Sequence, residues 1–456
     1  MAVIGAGMAG LSAAYALVRS RPDLEVVVLE AGARVGGLVH TELTPDGCLL
    51  ERGPDAMMAG RAEVDTLTHA LGLETLAPSR ALGSRVVIDG ARHPLPMGVL
   101  VPGLGSVGGV MGSGLLPWSG RARLAVEGFV PARRSPEDET VEDFVARRMG
   151  RAVLDRMIRP LLHGIRGADP AEMSAHATLP QLVAMERTHG SLTAAMLREA
   201  WSRRGGRKGP GGARRPGGMV SFGEGMAALP GAMAEVLGER VRLGCAVRSV
   251  SREAGGVTLR LGDGSRVEVD RVVMAVPAYG SAGLLEGFDA EASDEAGAVK
   301  YVPAVHLTLG FDEAGVGPVG ELPGLVVAAS EGLSVRACTW SSRKFPGRAP
   351  RGTVTVRCSL MPEALEADDA ALVETVRSDL RTLTGLEAVP RWSRVVKIAR
   401  AIPQFAPGHG ARVARVSEPL AETGVVLAGA AWGGAGVAEC VAGGVAAAGR
   451  ALGAAA

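Results

Sequence analysis

Apolar and polar positions along the first forty residues trace a strand, a turn, a helix and a second strand. Ala2-Val-Ile4 is a short apolar run that ends in a glycine turn. Apolar residues from Met8 to Arg19 recur at helical spacing, and Glu25 to Glu30 encloses Val-Val-Val-Leu between two carboxylates, the pattern of a parallel strand buried on both faces. Only four residues precede Gly5. From 137 to 204 the period turns helical, with Thr140 placed to cap a helix whose first turn holds Glu142 and Asp143. Strand patterns return at 241–250, 257–261 and 272–276, and again at 302–311 and 353–359. A helix is expected over 363–383, and 424–441 repeats strand, glycine turn and helix.

These patterns predict an α/β fold with α+β parts. A Rossmann-like dinucleotide-binding domain is expected from the discontinuous segments 1–80, 220–290 and 390–456. A mixed-sheet substrate domain is expected from 81–135 and 291–389, and a helical lobe from 136–219. A chain of 456 residues has ample apolar surface for such a division.

Two stretches stand out from this pattern. Residues 94–120 are uncharged and long enough for a membrane span, but ten glycines and prolines interrupt their interior, between Pro94 and Gly120, so a buried segment or channel wall is expected, with a shallow, peripheral membrane contact as the alternative. The stretch 203–218 has six basic residues, seven glycines and no acid, and reads as a solvated loop.

Charge excludes a class of partners. Lys and Arg number 49 against 48 Asp and Glu, so no global field favours nucleic acid, and none is expected as a partner. The five cysteines, at 48, 245, 338, 358 and 440, are scattered and without a CxxC pair, which predicts free thiols, no metal site and a cytoplasmic location. The sequence leaves the oligomeric state open.

The glycine turns carry the chemistry. Gly5-Ala6-Gly7-Met8-Ala9-Gly10 fits GxGxxG between a strand and a helix. Gly5 allows the tight turn, Gly7 lets a pyrophosphate approach the backbone, and Gly10 lets the helix pack on the strand. Glu30, twenty residues beyond Gly10 at the end of the second strand, stands where a carboxylate binds both hydroxyls of an unphosphorylated ribose. Arg34-Val-Gly36-Gly37 follows, a cation and a second glycine pair able to wrap the pyrophosphate from the other side, which separates FAD from NAD.

With these residues the chain resembles the flavin amine oxidase and phytoene desaturase superfamily. Within it, Glu51-Arg-Gly53-Pro54-Asp55 is similar to the ERGPD turn of the oxygen-dependent porphyrinogen oxidases. Arg159 to Pro170 with Met173-Ser174 resembles their PLLSGIYAGDPxxLS segment, and Ile402-Pro-Gln-Phe405 with Gly408-His409 their IPQYxxGH. The stretches 92–98 and 337–346 look most like the coproporphyrinogen oxidases of Gram-positive bacteria, with protoporphyrinogen oxidase as the alternative.

The resemblance implies non-covalent FAD and a porphyrinogen oxidised by dioxygen in haem biosynthesis. It also implies that Ala31, Leu38 and Gly53 to Ala56 lie along the cofactor, that Val247 is the adenine-side valine, and that Gly429, Ala435, Gly436 and Val437 belong to a motif like LAGNAYxGVGLPDC. The backbone N–H groups of Ala435 to Val437 would then face the negative charge of the reduced flavin. Departures from the pattern fall at Arg166 (an aromatic in the family), Ile398 (often a flavin-side tryptophan), Ala435 and Val437. Arg61 and Arg166 are the candidate cations for substrate carboxylates.

Two rival functions follow. Amine oxidation requires aromatics beside the flavin near the C-terminus, where Trp432 stands alone in the sequence and the tyrosines, 15, 279 and 301, lie elsewhere. His306 also sits near the position of a lysine in amine oxidases. A catalytically idle tetrapyrrole-binding flavoprotein is the other rival. No residue is assigned as a catalytic base.

Overall fold

The computed structural model describes residues 1–79, 84–95, 109–204, 218–253, 256–317 and 324–453. They form two compact units. The first comprises 1–78, 215–301 and 410–456, and the second comprises 79–214 and 302–409.

In the first unit five strands run parallel, in the order Val241–Arg242, Val27–Leu29, Ala2–Ile4, Val272–Met274, Val425–Leu427. Their side chains alternate between two cores. Val3, Val28, Val273 and Val426 pack under the helices Met8–Ser20, Ala228–Leu237 and Val437–Ala451. Ile4, Leu29, Val272, Met274, Val425 and Leu427 face the other core, shared with the antiparallel sheet Val247–Glu253, Gly256–Leu261, Arg266–Val269. Burial on both faces is why these strands read as unbroken valine and leucine runs. The helices Met8–Ser20 and Val437–Ala451 cross so closely that a Cβ on Gly444 would stand 2.2 Å from the Ala9 carbonyl oxygen.

Several boundaries differ from the sequence expectation. The strand expected over 241–250 is two strands in different sheets, parted where Gly244 turns with φ +69°. The helix Ala290–Gly297 belongs to the first unit rather than with the substrate sheet, because Ala292 packs into its core. Residues 390–409, expected with the nucleotide-binding segments, lie in the second unit, since Trp392–Pro403 is hydrogen-bonded into its sheet.

That sheet has seven strands, ordered Trp392–Pro403, Tyr301–Asp312, Thr353–Leu360, Val335–Trp340, Gly324–Val327, Arg85–Ile88, Ala91–Pro94. The helical lobe is not a separate body. Val86, Ile88, Val326 and Ala328 of the sheet share one core with Phe144, Val153, Leu161 and Leu182 of the helices. Thr140 caps the helix Val141–Arg148 by accepting the Asp143 amide N–H, as its sequence position predicts.

Of the uncharged stretch 94–120, residues 96–108 lie outside the described residues, while Val110, Leu115 and Leu116 are buried in the lobe's core. The basic loop lies outside them from 205 to 217. Among the described residues no helix is long and apolar enough to cross a membrane.

Candidate cofactor site

Three glycines of the first turn are required for different reasons. Gly5 has φ +99°, and a Cβ there would meet the Ala275 carbonyl oxygen at 2.8 Å. A Cβ on Gly10 would lie 1.9 Å from the Gly5 carbonyl oxygen, so the helix can begin against the strand only if residue 10 has no side chain. Gly7 differs from both. It caps the helix Met8–Ser20 at an ordinary φ of −73°, and a Cβ there would meet nothing within 4 Å. Neither backbone strain nor packing asks for glycine at 7, which leaves close approach of a ligand as its reason.

The helix behind it has no side-chain cap and no acidic residue in its first turn, so the leading N–H groups, Met8 and Ala9 among them, present the positive end of the helix dipole.

The second glycine loop is fastened to the first. Gly36 N–H donates to the Ala6 carbonyl at 2.8 Å and pairs with Gly7 in a parallel bridge. Gly36 and Gly37 both turn with positive φ. Arg34 braces this loop by donating to the carbonyls of Gly37 (2.7 Å) and Val35 (3.0 Å). A Cβ on Gly53 would lie 1.9 Å from the Leu38 carbonyl oxygen, which sets the turn Gly53-Pro54-Asp55-Ala56 against Leu38.

Glu30 accepts the Ala6 amide at 2.7 Å with one carboxylate oxygen and the Gly32 amide at 2.8 Å with the other. The Glu30 and Gly32 carbonyls accept the amides of Cys245 (2.8 Å) and Gly244 (2.9 Å), which brings the start of the strand at Val247 beside Glu30, Ala31 and Gly32. His40, between Arg34 and Arg52, has its pKa lowered by burial and then by those two cations.

Sequence reasoning missed one support of this cradle. Buried Glu51 accepts from the Thr41 hydroxyl and the Met226 amide, both at 2.8 Å. Thr41 accepts the Ala227 amide at 3.0 Å. These bonds fix the turn before the helix Ala228–Leu237, whose Pro230 packs near Gly36. The signal was present, since Gly223-Glu-Gly225 follows the strand Met219–Phe222 and precedes a helix.

At the C-terminal motif, Gly429 and Gly434 have φ +116° and +117°, and Gly436 caps the helix Val437–Ala451. The anion at this helix start is a protein group. The Glu439 carboxylate folds back to where a Cβ on Gly436 would lie 2.0 Å from it, and Arg61 donates to its other oxygen at 3.3 Å. Glu439 thus lies at the helix start whose amides, at Ala435, Gly436 and Val437, are expected to face the flavin, and Arg61 is its ion-pair partner.

Burial pushes the Cys440 thiol up to about 12, and its Sγ donates to the Gly434 carbonyl at 3.7 Å. The aromatic count near this motif also needs correction. Tyr279 and Tyr301 meet edge to face at 5.1 Å, and Tyr301 and Trp432 pack on one small cluster with Ala278 and Ala431.

Ile398 lies on the second unit's edge strand, and Arg166 closes the helix Arg159–Arg166, with its side chain outside the described residues. Among the described residues no group of acidic, histidine and cysteine side chains forms a metal site.

The open position at Gly7, the uncapped helix start and the Glu30 carboxylate fit the pyrophosphate and ribose of FAD. The family model described as flavin containing amine oxidoreductase matches residues 8–452. A coproporphyrinogen III oxidase of Bacillus subtilis is 29% identical over 96% of this chain and 95% of its own length. One of Mycobacterium bovis is 32% identical over 99% and 96%. A solved structure from Exiguobacterium sp. 255-15, named there as a candidate protoporphyrinogen oxidase, superposes with a TM-score of 0.82 at 28% identity, covering 98% of this chain and 96% of that one. The chain belongs to the flavin-containing amine oxidoreductase family and is an FAD-dependent oxidoreductase.

Proposed function

We propose that this enzyme oxidises coproporphyrinogen III to coproporphyrin III in haem biosynthesis. Dioxygen is the terminal acceptor, and six hydrogens leave the substrate as three dioxygen molecules become three of hydrogen peroxide. The observation that carries the substrate is the similarity to coproporphyrinogen III oxidases along nearly the whole of both chains, with the resemblance of 51–55, 159–174 and 402–409 to porphyrinogen oxidase motifs beside it. Protoporphyrinogen IX is the second reading, favoured by the Exiguobacterium structure.

FAD, when bound, supplies the hydride acceptor, and the protein contributes binding and orientation. Gly7 and the helix start behind it would receive the pyrophosphate, Glu30 the ribose, and Val247 the adenine side. Leu38 and the turn Gly53 to Ala56 would lie along the cofactor, with Gly429 and the stretch Ala435 to Val437 toward its ring. Arg61 and Arg166 remain candidates for propionate contacts, and Arg61 would exchange Glu439 for a substrate carboxylate.

The test is oxygen uptake and porphyrin fluorescence from purified, FAD-loaded protein given each porphyrinogen. Fluorescence from coproporphyrinogen III with peroxide in equal measure to the oxygen consumed is expected. A reaction with protoporphyrinogen IX alone would reverse the substrate, and oxidation of amines alone would remove the reading.

A further inference from the structure

The seven-stranded sheet of the second unit is finished on one face and unfinished on part of the other. On the first face Leu307, Leu309, Val354, Val356, Cys358, Cys338 and Trp340 are buried against Leu372, Val376 and Leu380 of the helix Asp369–Thr384. Residues between them point the other way. His306 pairs in register with Ser359, and Ser359 with Ala337, so the three share a row. Thr308, Arg357 and Thr339 form the next row on that same side.

The helix Arg159–Arg166 crosses this side: a Cβ on Gly164 would meet Val326 and Ala337 at 3.4 and 3.5 Å, and one on its C-cap Gly167 would meet the Pro303 carbonyl and Val302 at 3.7 and 3.8 Å. Burial records the result. Cys338, Trp340, Val356 and Cys358 are buried, while Ala337, Thr339, Arg357 and Ser359 between them are half-buried.

The edge strand Trp392–Pro403 continues the surface. Lys397 Nζ reaches the Ala367 carbonyl and Asp369 at 2.5 and 2.7 Å, and Val395 packs in the core of the finished face. By alternation Val396 and Ile398 stand on the other face, and neither belongs to a core cluster. Trp392 confirms this parity, since its ring fills the space that a Cβ on Gly310 would need.

Around the His306 and Arg357 rows the charge is of one sign, since the acid nearest on these strands, Asp312, ends its strand and pairs with Arg391 at 3.1 Å. Residues 302–311, 335–340, 353–360 and 392–403 contain no Asp or Glu, yet carry Arg336, Arg357, Arg394, Lys397, Arg400 and His306. His306 Nδ1 and the Ser359 hydroxyl lie 3.2 Å apart, which fixes the imidazole beside the Arg357 row.

We infer that this acid-free half-face, with Arg357 and the His306–Ser359 pair as its polar row and Val396 and Ile398 as its apolar strip, binds the carboxylates and the macrocycle of an amphiphilic polycarboxylate and sets the enzyme's selectivity for the number of acid groups. The inference rests on the porphyrinogen reading above. It adds a sheet face to Arg61 and Arg166 as a place of carboxylate recognition. A guanidinium pairs with a carboxylate in two parallel hydrogen bonds, and a hydroxyl-fixed imidazole adds a third donor, so an extra propionate has a matched partner here.

The experiment uses FAD-loaded full-length protein and two stable porphyrins as probes: coproporphyrin III with four carboxylates and mesoporphyrin IX with two. Fluorescence titration gives each Kd, while turnover of coproporphyrinogen III is measured in parallel. Arg357→Gln is expected to weaken coproporphyrin III about tenfold and mesoporphyrin IX less than about threefold, and Arg357→Lys to recover most of the difference. Should Arg357→Gln not fold, His306→Asn is expected to shift the same ratio in the same direction. Equal weakening of both porphyrins, or none, overturns the inference while wild-type turnover leaves the proposed function standing. Wild-type protein that oxidises no porphyrinogen overturns both.

Discussion

The Glu30 carboxylate accepts the amide N–H of Ala6 at 2.7 Å, so the residue proposed to hold the ribose also holds the turn proposed to receive the pyrophosphate. Each charge-assisted bond of this kind contributes about 1.5 to 3 kcal/mol. Glu30→Ala is expected to lower FAD retention by at least an order of magnitude, because ribose contacts and turn order are lost together. Glu30→Gln keeps an acceptor and should lie between. Equilibrium dialysis or flavin fluorescence reads the outcome, and unchanged occupancy in Glu30→Ala would remove the residue from the site.

Gly7 and Gly10 should separate binding from folding. A Cβ on Gly10 collides with the Gly5 carbonyl oxygen at 1.9 Å, whereas one on Gly7 meets nothing within 4 Å. Gly10→Ala is therefore expected to yield little folded protein. Gly7→Ala should fold with a thermal midpoint close to that of the cofactor-free wild type, yet fail to retain FAD. A Gly7→Ala protein with full flavin content would show that no ligand needs that space.

Flavin should leave the protein intact on acid or heat treatment. Cys440, the thiol in the C-terminal motif, is held protonated by burial, with a pKa pushed up to about 12, and thioether formation needs the thiolate. Flavin absorbance remaining with the precipitated polypeptide is the result that counts against a non-covalent cofactor.

Arg148 is fully buried against Glu127, which in turn accepts the Leu192 and Thr193 amides at 3.0 and 2.9 Å. Removing one member of a buried pair strands the other charge, a loss of about 3 to 5 kcal/mol. Arg148→Met should lower the urea midpoint of the second unit accordingly. A shift no larger than that of a surface Arg→Met control would mean that the carboxylate finds other compensation.

Acidification should destabilise the protein beginning near neutrality. His40 and His163 both have pKa values lowered from 6.5, His40 by burial and then Arg34, and His163 by burial foremost. As pH falls through 6.5 the unfolded chain takes up protons that the folded histidines refuse, so stability present above that pH is lost below it. Glu142, held below its ordinary range by Arg159, and Glu295, held there by Arg415, act only at lower pH. Urea midpoints at about pH 7.5 and 5.5 should differ, and less so in a His40→Asn, His163→Asn double variant. An identical slope in that variant would assign the effect elsewhere.

The sequence by itself determined the parts that local physics controls. Gly5, Gly7 and Gly10 at fixed offsets between a strand and a helix, with Glu30 at the end of the next strand, describe one βαβ unit in which every residue is near its partners along the chain. Apolar runs buried on both faces marked the parallel strands for the same reason, and Thr140 announced its helix by position.

Tertiary structure decided what depends on contacts between residues separated along the chain, by 53 positions for His306 and Ser359 and by 378 for Arg61 and Glu439. Residues 390–409 join the second unit because Trp392–Pro403 pairs with the strand Tyr301–Asp312, a ladder that period-two alternation does not assign to any particular sheet. Arg61 meets Glu439 and Tyr279 meets Tyr301 through folding, so neither the ion pair nor the aromatic contact is visible in spacing. The half-face carrying His306, Arg357 and Ser359 exists only through strand register, since residues more than fifty apart in sequence become neighbours when Ser359 pairs with His306.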